Sequence, residues 1–348
     1  MRRFRSAAAV AVIAVAAISF GLASCGEKSE AGGAETEPLS LTLDFYPNPD
    51  HAGIYMAQKL GFFKEAGLDV TIQTPSDPAA PIKQVAAGNS DLAISYEPEV
   101  ILAHEQGLEV IAVGALVDTP LTSMIWLKSS NIGGVADLRG RTIATAGIPY
   151  QDAYLKTILG RAGLSTSDVS TVNVGYGLLP ALVSGRAQAM LGGFLNVEGV
   201  DLRLRGKQPV VTPVDQLGVP TYNELVFVAR RQELEEDAQP VRLFLAALAR
   251  GTSAAAADPQ ATTEALIAAN PDLDPRLTTA EVNATLPLLK PPQRKTPGSG
   301  GEKPAFGEMN PQEWETFIGW MRDHGLITGR PEPSEVLTNE YLPGGIPK

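Results

Sequence analysis

The sequence predicts an α/β fold of two βα lobes joined by a double hinge, and three observations predict it. Short apolar strands alternate with helices along the chain, the pattern of a parallel-rich sheet covered by helices. The same helix–glycine–strand phrase then returns in the second half. The body, from about Ser40 to Lys348, is also too long for one small core and suits two.

Leu39–Phe45 alternates strictly between apolar and polar residues, which predicts a half-buried strand. Ile54, Ala57, Leu60 and Phe63 recur at helical spacing and predict one helix over Ala52–Glu65, stopped by Gly67. Strands are expected at Leu68–Gln73, Asp91–Ser95 and Val110–Leu116, with a helix at Ala79–Ala87 ending at Gly88. In the second half, Ala162-Gly163-Leu164 repeats Ala66-Gly67-Leu68 before a strand near Thr171–Val174. KQVAAGNSDLAI (83–94) and PALVSGRAQAML (180–191) share one layout of helix, glycine, turn and strand. Any two βαβ units share some of this likeness; here the whole plan corresponds.

Leu121–Lys128 and Asn223–Arg230 flank the second lobe and mark the crossings, where closure around a ligand would be absorbed. The expected division is residues 40–122 and 224–348 for the first lobe and 123–223 for the second. Helices follow at Gln239–Ala257, Pro259–Asn270, Thr279–Leu289 and Pro311–His324, the earlier ones as cover on the first lobe. Lys290–Ala305, rich in Pro, Gly and charge, reads as a surface loop.

The N-terminus points to export. Arg2, Arg3 and Arg5 precede an almost wholly apolar or small stretch, Ala7–Leu22, the pattern of a signal peptide. Leu22-Ala23-Ser24-Cys25 then resembles a bacterial lipobox, whose cysteine becomes the lipid-bearing first residue. Cys25 is the only cysteine, so it has no internal disulfide partner, and lipidation gives it a role. Residues 26–39 are small and charged and read as a flexible tether. The expected location is the outer face of the cell membrane, held by lipid; a plain secretory peptide with a chance cysteine is the alternative.

Net charge is −11, and removing residues 1–24 removes three arginines and no acid, giving −14. That balance argues against nucleic-acid binding, which needs a basic surface. No second apolar run reaches membrane-spanning length, so a permease would be a separate chain.

Enzyme motifs are scarce. No phosphate loop and no Gly-x-Ser-x-Gly elbow occurs, and His51, His104 and His324 lack metal-ligand spacing. Gly175-Tyr176-Gly177 reads as a simple turn. No cofactor is expected. Polar and aromatic residues instead gather just after strands, where α/β sheets bind ligands. Four segments qualify: Asp44-Phe45-Tyr46-Pro47-Asn48 with His51; Ser95-Tyr96-Glu97 with Glu99; Gly147-Ile148-Pro149-Tyr150; and Gly192-Gly193-Phe194 with Asn196 and Glu198. Asp44, Asn48 and His51 also fit helix caps, Tyr96 and Tyr150 a rim, and the glutamates a solvated surface. Two segments come from each expected lobe. Together they offer rings, carboxylates, an amide and an imidazole, but no lysine or arginine. A flat ring bearing N–H donors suits that set; sulfonate, nitrate or phosphate would need positive charge.

LDFYPNPDHAGIYMAQKLGFFKEAGLDV (43–70) resembles the opening of the NMT1/THI5-like family. The likeness continues through GNSDLAISYEPEV (88–100), GGFLNVEGVDL (192–202), EWETFIGWMRDHGLI (313–327) and TNEYL (338–342). The resemblance implies the two-lobed periplasmic-binding (type II) fold. It implies either binding of a thiamine pyrimidine for an ABC importer, with permease and ATPase as separate partners, or the chemistry of the fungal pyrimidine synthases. Residue by residue, it implies ligand-binding roles for Asp44, Phe45, Asn48, His51, Tyr96, Glu97 and Glu198, with Gly147–Tyr150 where the enzymes hold a phosphate. The family usually has tryptophan at the position of Phe45. The enzymes' cofactor-binding lysine and sacrificial histidine fall at Ser95 and Glu99 here, and serine has no amine for a Schiff base. The expectation is a binding protein. The rivals are another ligand in the same fold (riboflavin or a precursor, an alkyl sulfonate), a synthase-like enzyme, and a sensor lipoprotein.

Overall fold

A computed structural model describes residues 36–289 and 305–344. The expected signal peptide, Cys25, residues 26–35 of the expected tether, and all of the expected loop but Ala305 lie outside the described residues; the tether's last residues, Glu37–Leu39, are instead the start of a strand, since they pair with Leu68–Val70. No described helix is long and apolar enough to cross a membrane.

Among the described residues, ten strands form two five-stranded sheets. They are β1 (Glu37–Thr42), β2 (Leu68–Gln73), β3 (Leu92–Ser95), β4 (Val110–Val117), β5 (Thr122–Leu127), β6 (Thr142–Thr145), β7 (Ser170–Asn173), β8 (Ala189–Phe194), β9 (Pro209–Pro213) and β10 (Leu225–Arg230). The first sheet has the order β2-β1-β3-β10-β4 and the second β7-β6-β8-β5-β9. The two orders superimpose term by term. In each, the second strand (β1 or β6) runs parallel to both neighbours, and the fourth (β10 or β5), next to a chain crossing, runs antiparallel to its own two. The sheets are therefore mixed rather than parallel-rich. The crossing strands β5 and β10 enter against the direction of the βαβ units, and alternation of elements does not report that.

The repeated phrase is real structure. Helix Pro81–Ala86 leads through Gly88 (φ +75°) into β3, and helix Leu178–Val183 through Gly185 (φ +77°) into β8. Three elements differ from expectation. β1 ends at Thr42, because residues 43–48 leave the sheet toward the cleft. The helix expected over 52–65 is two, Ala52–Lys59 and Phe62–Glu65, broken at left-handed Gly61 (φ +77°) with Leu60 exposed. The helix expected from Thr279 starts at Pro275, where the Asp274 side chain accepts the Leu277 N–H, and ends at Thr285.

β3, β4, β5 and nearly all of β10 are buried, so they read as continuous apolar runs. Helix Gln239–Ala257 covers the first sheet's helices at a close crossing: Gly251 lies against the Gly53 backbone and Ala57. The crossings are tied by buried carboxylates. Glu224 accepts the Leu121 and Thr122 N–H groups (2.6 and 2.7 Å) and the hydroxyls of Thr122 and Tyr222. Asn223 donates its N–H to Glu97 (2.7 Å) and accepts the Trp314 indole N–H (2.7 Å).

Candidate ligand-binding cleft

The chain ends of β1, β3, β6 and β8 face one cleft, with about 520 Å³ of empty space, mouth included. β1 and β3 run parallel, as do β6 and β8, which places their carboxyl ends together and brings these four loops to one cleft. Asp44, Phe45, Asn48 and Tyr96 line it from the first lobe, and Tyr150 and Glu198 from the second.

Asp44 is buried and doubly held. His51 Nε2 lies 2.8 Å from its Oδ1, and Tyr96 donates its hydroxyl to Oδ2 (3.2 Å). The Asn48 N–H donates to His51 Nδ1 (3.3 Å), which leaves the ring proton on Nε2, facing Asp44. His51 therefore stands behind the wall and orients Asp44. Asn48 caps the turn 49–51: its Oδ1 accepts the Asp50 N–H (2.8 Å) and its Nδ2 donates to Tyr46 O (3.1 Å). The cap reading and the lining reading both hold for Asn48, and its polar atoms serve its own loop.

Phe45 meets Tyr46 (4.2 Å between centroids) and, edge-on, Tyr176 (4.4 Å) from the second lobe. Tyr96 and Tyr150 follow at 6.0 Å, and Tyr150 packs on Tyr154 at 5.0 Å. Glu198 opens helix Glu198–Leu204, and its Oε2 accepts the Phe194 N–H (2.7 Å). Burial pushes its carboxyl up to about 7, and hydrogen bonds to Phe194 and to its own backbone N–H oppose that.

Besides His51, two expected site residues do not line the cleft. Glu97 turns to the crossing and accepts the Asn223 N–H. Gly147 supplies a left-handed turn (φ +79°), packed against the Asn173 side chain; its neighbours Ala146 and Ile148 line the cleft instead. Phe194, of the fourth segment, lines it too, as do Gln151 and Thr122, which the sequence does not single out. Gln151 Oε1 accepts the Ala146 N–H (3.1 Å). A glutamine directly after Tyr150, at the start of a helix that follows a strand, carried that signal. Thr122 was legible only as part of a crossing strand. No lysine or arginine stands among the lining residues.

Ser95 and Glu99 form a buried pair, Oγ to Oε2 at 2.7 Å, and burial raises the Glu99 carboxyl to about 7. No amine stands at either position.

The profile of the family described as NMT1/THI5 like matches residues 48–262. A formylaminopyrimidine-binding protein of Halalkalibacterium halodurans is 32% identical over 312 residues, 88% of this chain and 91% of that protein. A 4-amino-5-hydroxymethyl-2-methylpyrimidine phosphate synthase of Legionella pneumophila is 28% identical over 308 residues, 88% of this chain and 92% of that protein. Among solved structures, the alkanesulfonate-binding protein of Xanthomonas axonopodis bound to MOPS superimposes with a TM-score of 0.67 at 16% identity, over 88% of this chain and 99% of that one. Fold, lobes and sequence agree: the chain belongs to the NMT1/THI5-like family and has the two-lobed fold of the periplasmic binding proteins.

Proposed function

We propose that the protein is the solute-binding component of an ABC importer, lipid-anchored outside the cell membrane through Cys25, and that it captures a thiamine pyrimidine precursor between its lobes. The observation that carries the ligand class is the lining: aromatic rings and the carboxylates of Asp44 and Glu198, with no cationic side chain. A flat aminopyrimidine stacks on Phe45, Tyr96 or Tyr150 and donates its N–H groups to those acceptors. A sulfonate or phosphate would face carboxylates with no positive charge to offset them. The formylaminopyrimidine-binding relative supports the same class.

No covalent step is proposed. Serine and glutamate stand where a synthase needs an amine and an imidazole, and they are engaged with each other. Calorimetry and thermal shift with formylaminopyrimidine, hydroxymethylpyrimidine, thiamine, riboflavin and taurine test the reading. Ligand at a hundred times its Kd should add about 2.7 kcal/mol of stability. A selective rise with a pyrimidine is expected. A rise with taurine and none with pyrimidines would sink the ligand assignment. A cleft that takes none of the five would sink the transport reading.

A further inference from the structure

Asn196 and Asp50 stand next to opposite walls of the cleft. Asn196 lies two residues before Glu198, and Asp50 lies between Asn48 and His51. Asn196 Nδ2 donates to Asp50 Oδ1 (2.7 Å) and to Thr285 Oγ1 (2.8 Å) on helix Pro275–Thr285. All three residues are fully buried. Asn196 belongs to the second lobe, and Asp50 and Thr285 to the first. The contact therefore exists only while the lobes are together.

Two atoms of this contact have no partner among the described residues: Asp50 Oδ2 and Asn196 Oδ1. Both are acceptors, and a buried acceptor left unpaired is costly. One proton supplies what is missing. On Asp50 it turns Oδ2 into a donor, and an acid and an amide side by side then satisfy each other through two hydrogen bonds.

We propose that Asp50, Asn196 and Thr285 are the latch of the closed cleft, and that closing takes up one proton on Asp50. This rests on the reading of the cleft as one that opens and closes on a ligand.

The surroundings favour the neutral acid. Asp44 and Glu224 face Asp50 from the first lobe and the crossing, and Glu198 from helix Glu198–Leu204. Glu281 approaches from helix Pro275–Thr285, beside Asp201, which is engaged by Arg205. His51, the neighbour in the chain, is turned to Asp44. Lys59, at the end of the helix that continues the turn, is paired with Glu264 at 3.5 Å. Burial, with these acids, raises the Asp50 carboxyl to about 8. In an open cleft, water returns it to about 3.9. Between those values the closed form holds a proton that the open form lacks. The closing equilibrium then weakens about tenfold per pH unit and levels off above about pH 8.

A fluorophore pair, one on each lobe of the full chain in detergent, reads the open-to-closed ratio without ligand. The ratio should rise about tenfold per pH unit for this proton between pH 5 and 7.5. Asp50→Asn is the uncharged isostere of the protonated acid. It should stay closed at pH 7.5 and lower the slope by one proton. A lobe separation that is flat with pH, or Asp50→Asn with the wild-type slope, overturns the latch. If Asp50→Asn does not fold, Thr285→Val decides: it should open the protein at every pH, and an unchanged ratio overturns the proposal. Formylaminopyrimidine added last separates the two readings. Binding with a flat slope sinks the latch alone, and a full slope without binding sinks the ligand alone.

Discussion

Glu198 and Phe45 stand on opposite lobes, so each tests one half of a shared pocket. Truncating Glu198 removes a directional acceptor, and a hydrogen bond to a charged group is worth about 1.5–3 kcal/mol. Truncating Phe45 removes a stacking face. Each of Glu198→Ala and Phe45→Ala should weaken formylaminopyrimidine binding about tenfold or more, since about 1.4 kcal/mol is a factor of ten. Calorimetry on both variants checks this, and unchanged affinity in both would remove them from the site. Glu97 is the contrasting residue. Its carboxylate holds the Asn223 N–H at the crossing rather than the cleft. Glu97→Ala should cost about 1–3 kcal/mol of stability by leaving a buried donor unpaired. Its ligand affinity, measured well below the unfolding temperature, should remain near wild type.

At the scale of elements, the tightest junction is where helix Gln239–Ala257 crosses helix Ala52–Lys59. A Cβ on Gly251 would overlap the Gly53 carbonyl oxygen, which is backbone and cannot rotate away. Gly251→Ala should therefore destabilise by about 1–3 kcal/mol despite alanine's better helix propensity. Urea unfolding would show it as a lower midpoint with an unchanged slope. A more stable variant would mean that the helices slide apart freely. Gly53, Gly61 and Gly251 also show where sequence reading stops. Period 3.6 continued straight through Leu60, so a single helix was expected, yet the glycine after it takes φ +77° and starts a new one. Strands were legible because β3, β4 and β10 are apolar runs of strand length. Their direction was not, since neither apolarity nor length encodes the sense of a crossing strand. The cleft was legible through Asp44, Tyr96, Tyr150 and Glu198 because each closely follows a strand end. Where Glu97 turns was not, because the start of a helix fixes a residue's position but not the side to which its carboxylate points. Asp50 gave no signal, and Asn196 only as a polar residue after a strand; their pairing appears only when two lobes are laid together.

At the scale of the molecule, two lobes of one topology bury several acids, Asp44, Asp50, Glu97, Glu99, Glu224 and Glu281 among them. Burial raises Asp50 to about 8 and Glu281 to about 9, both far above the ordinary carboxyl range. Neither has a described lysine or arginine beside it, so desolvation dominates and each favours its neutral form. In the unfolded chain, Asp and Glu titrate near about 3.9 and 4.3. From pH 5 to 8 the folded protein therefore binds protons that the unfolded chain has released. Stability is greatest below the unfolded values' window and falls as pH rises toward the folded ones, by about 1.4 kcal/mol per pH unit for each proton held. The net charge of −11 adds self-repulsion of the same sign as more carboxyls ionise. Thermal unfolding should accordingly give a higher Tm at pH 5.5 than at pH 8. Glu281→Gln should reduce that difference by about one proton's share, raising Tm modestly at pH 5.5 and more at pH 8. A Tm that climbs from pH 5.5 to 8 would mean that these carboxyls are ionised in the folded protein, held by compensation from water or from movement of the lobes. The same experiment in high salt isolates the local part. Screening removes surface repulsion beyond a few ångströms but leaves the cost of a buried charge in place, so the slope that survives at 1 M salt belongs to the buried carboxyls, Asp50 and Glu281 with Glu97, Glu99, Glu198 and Glu224.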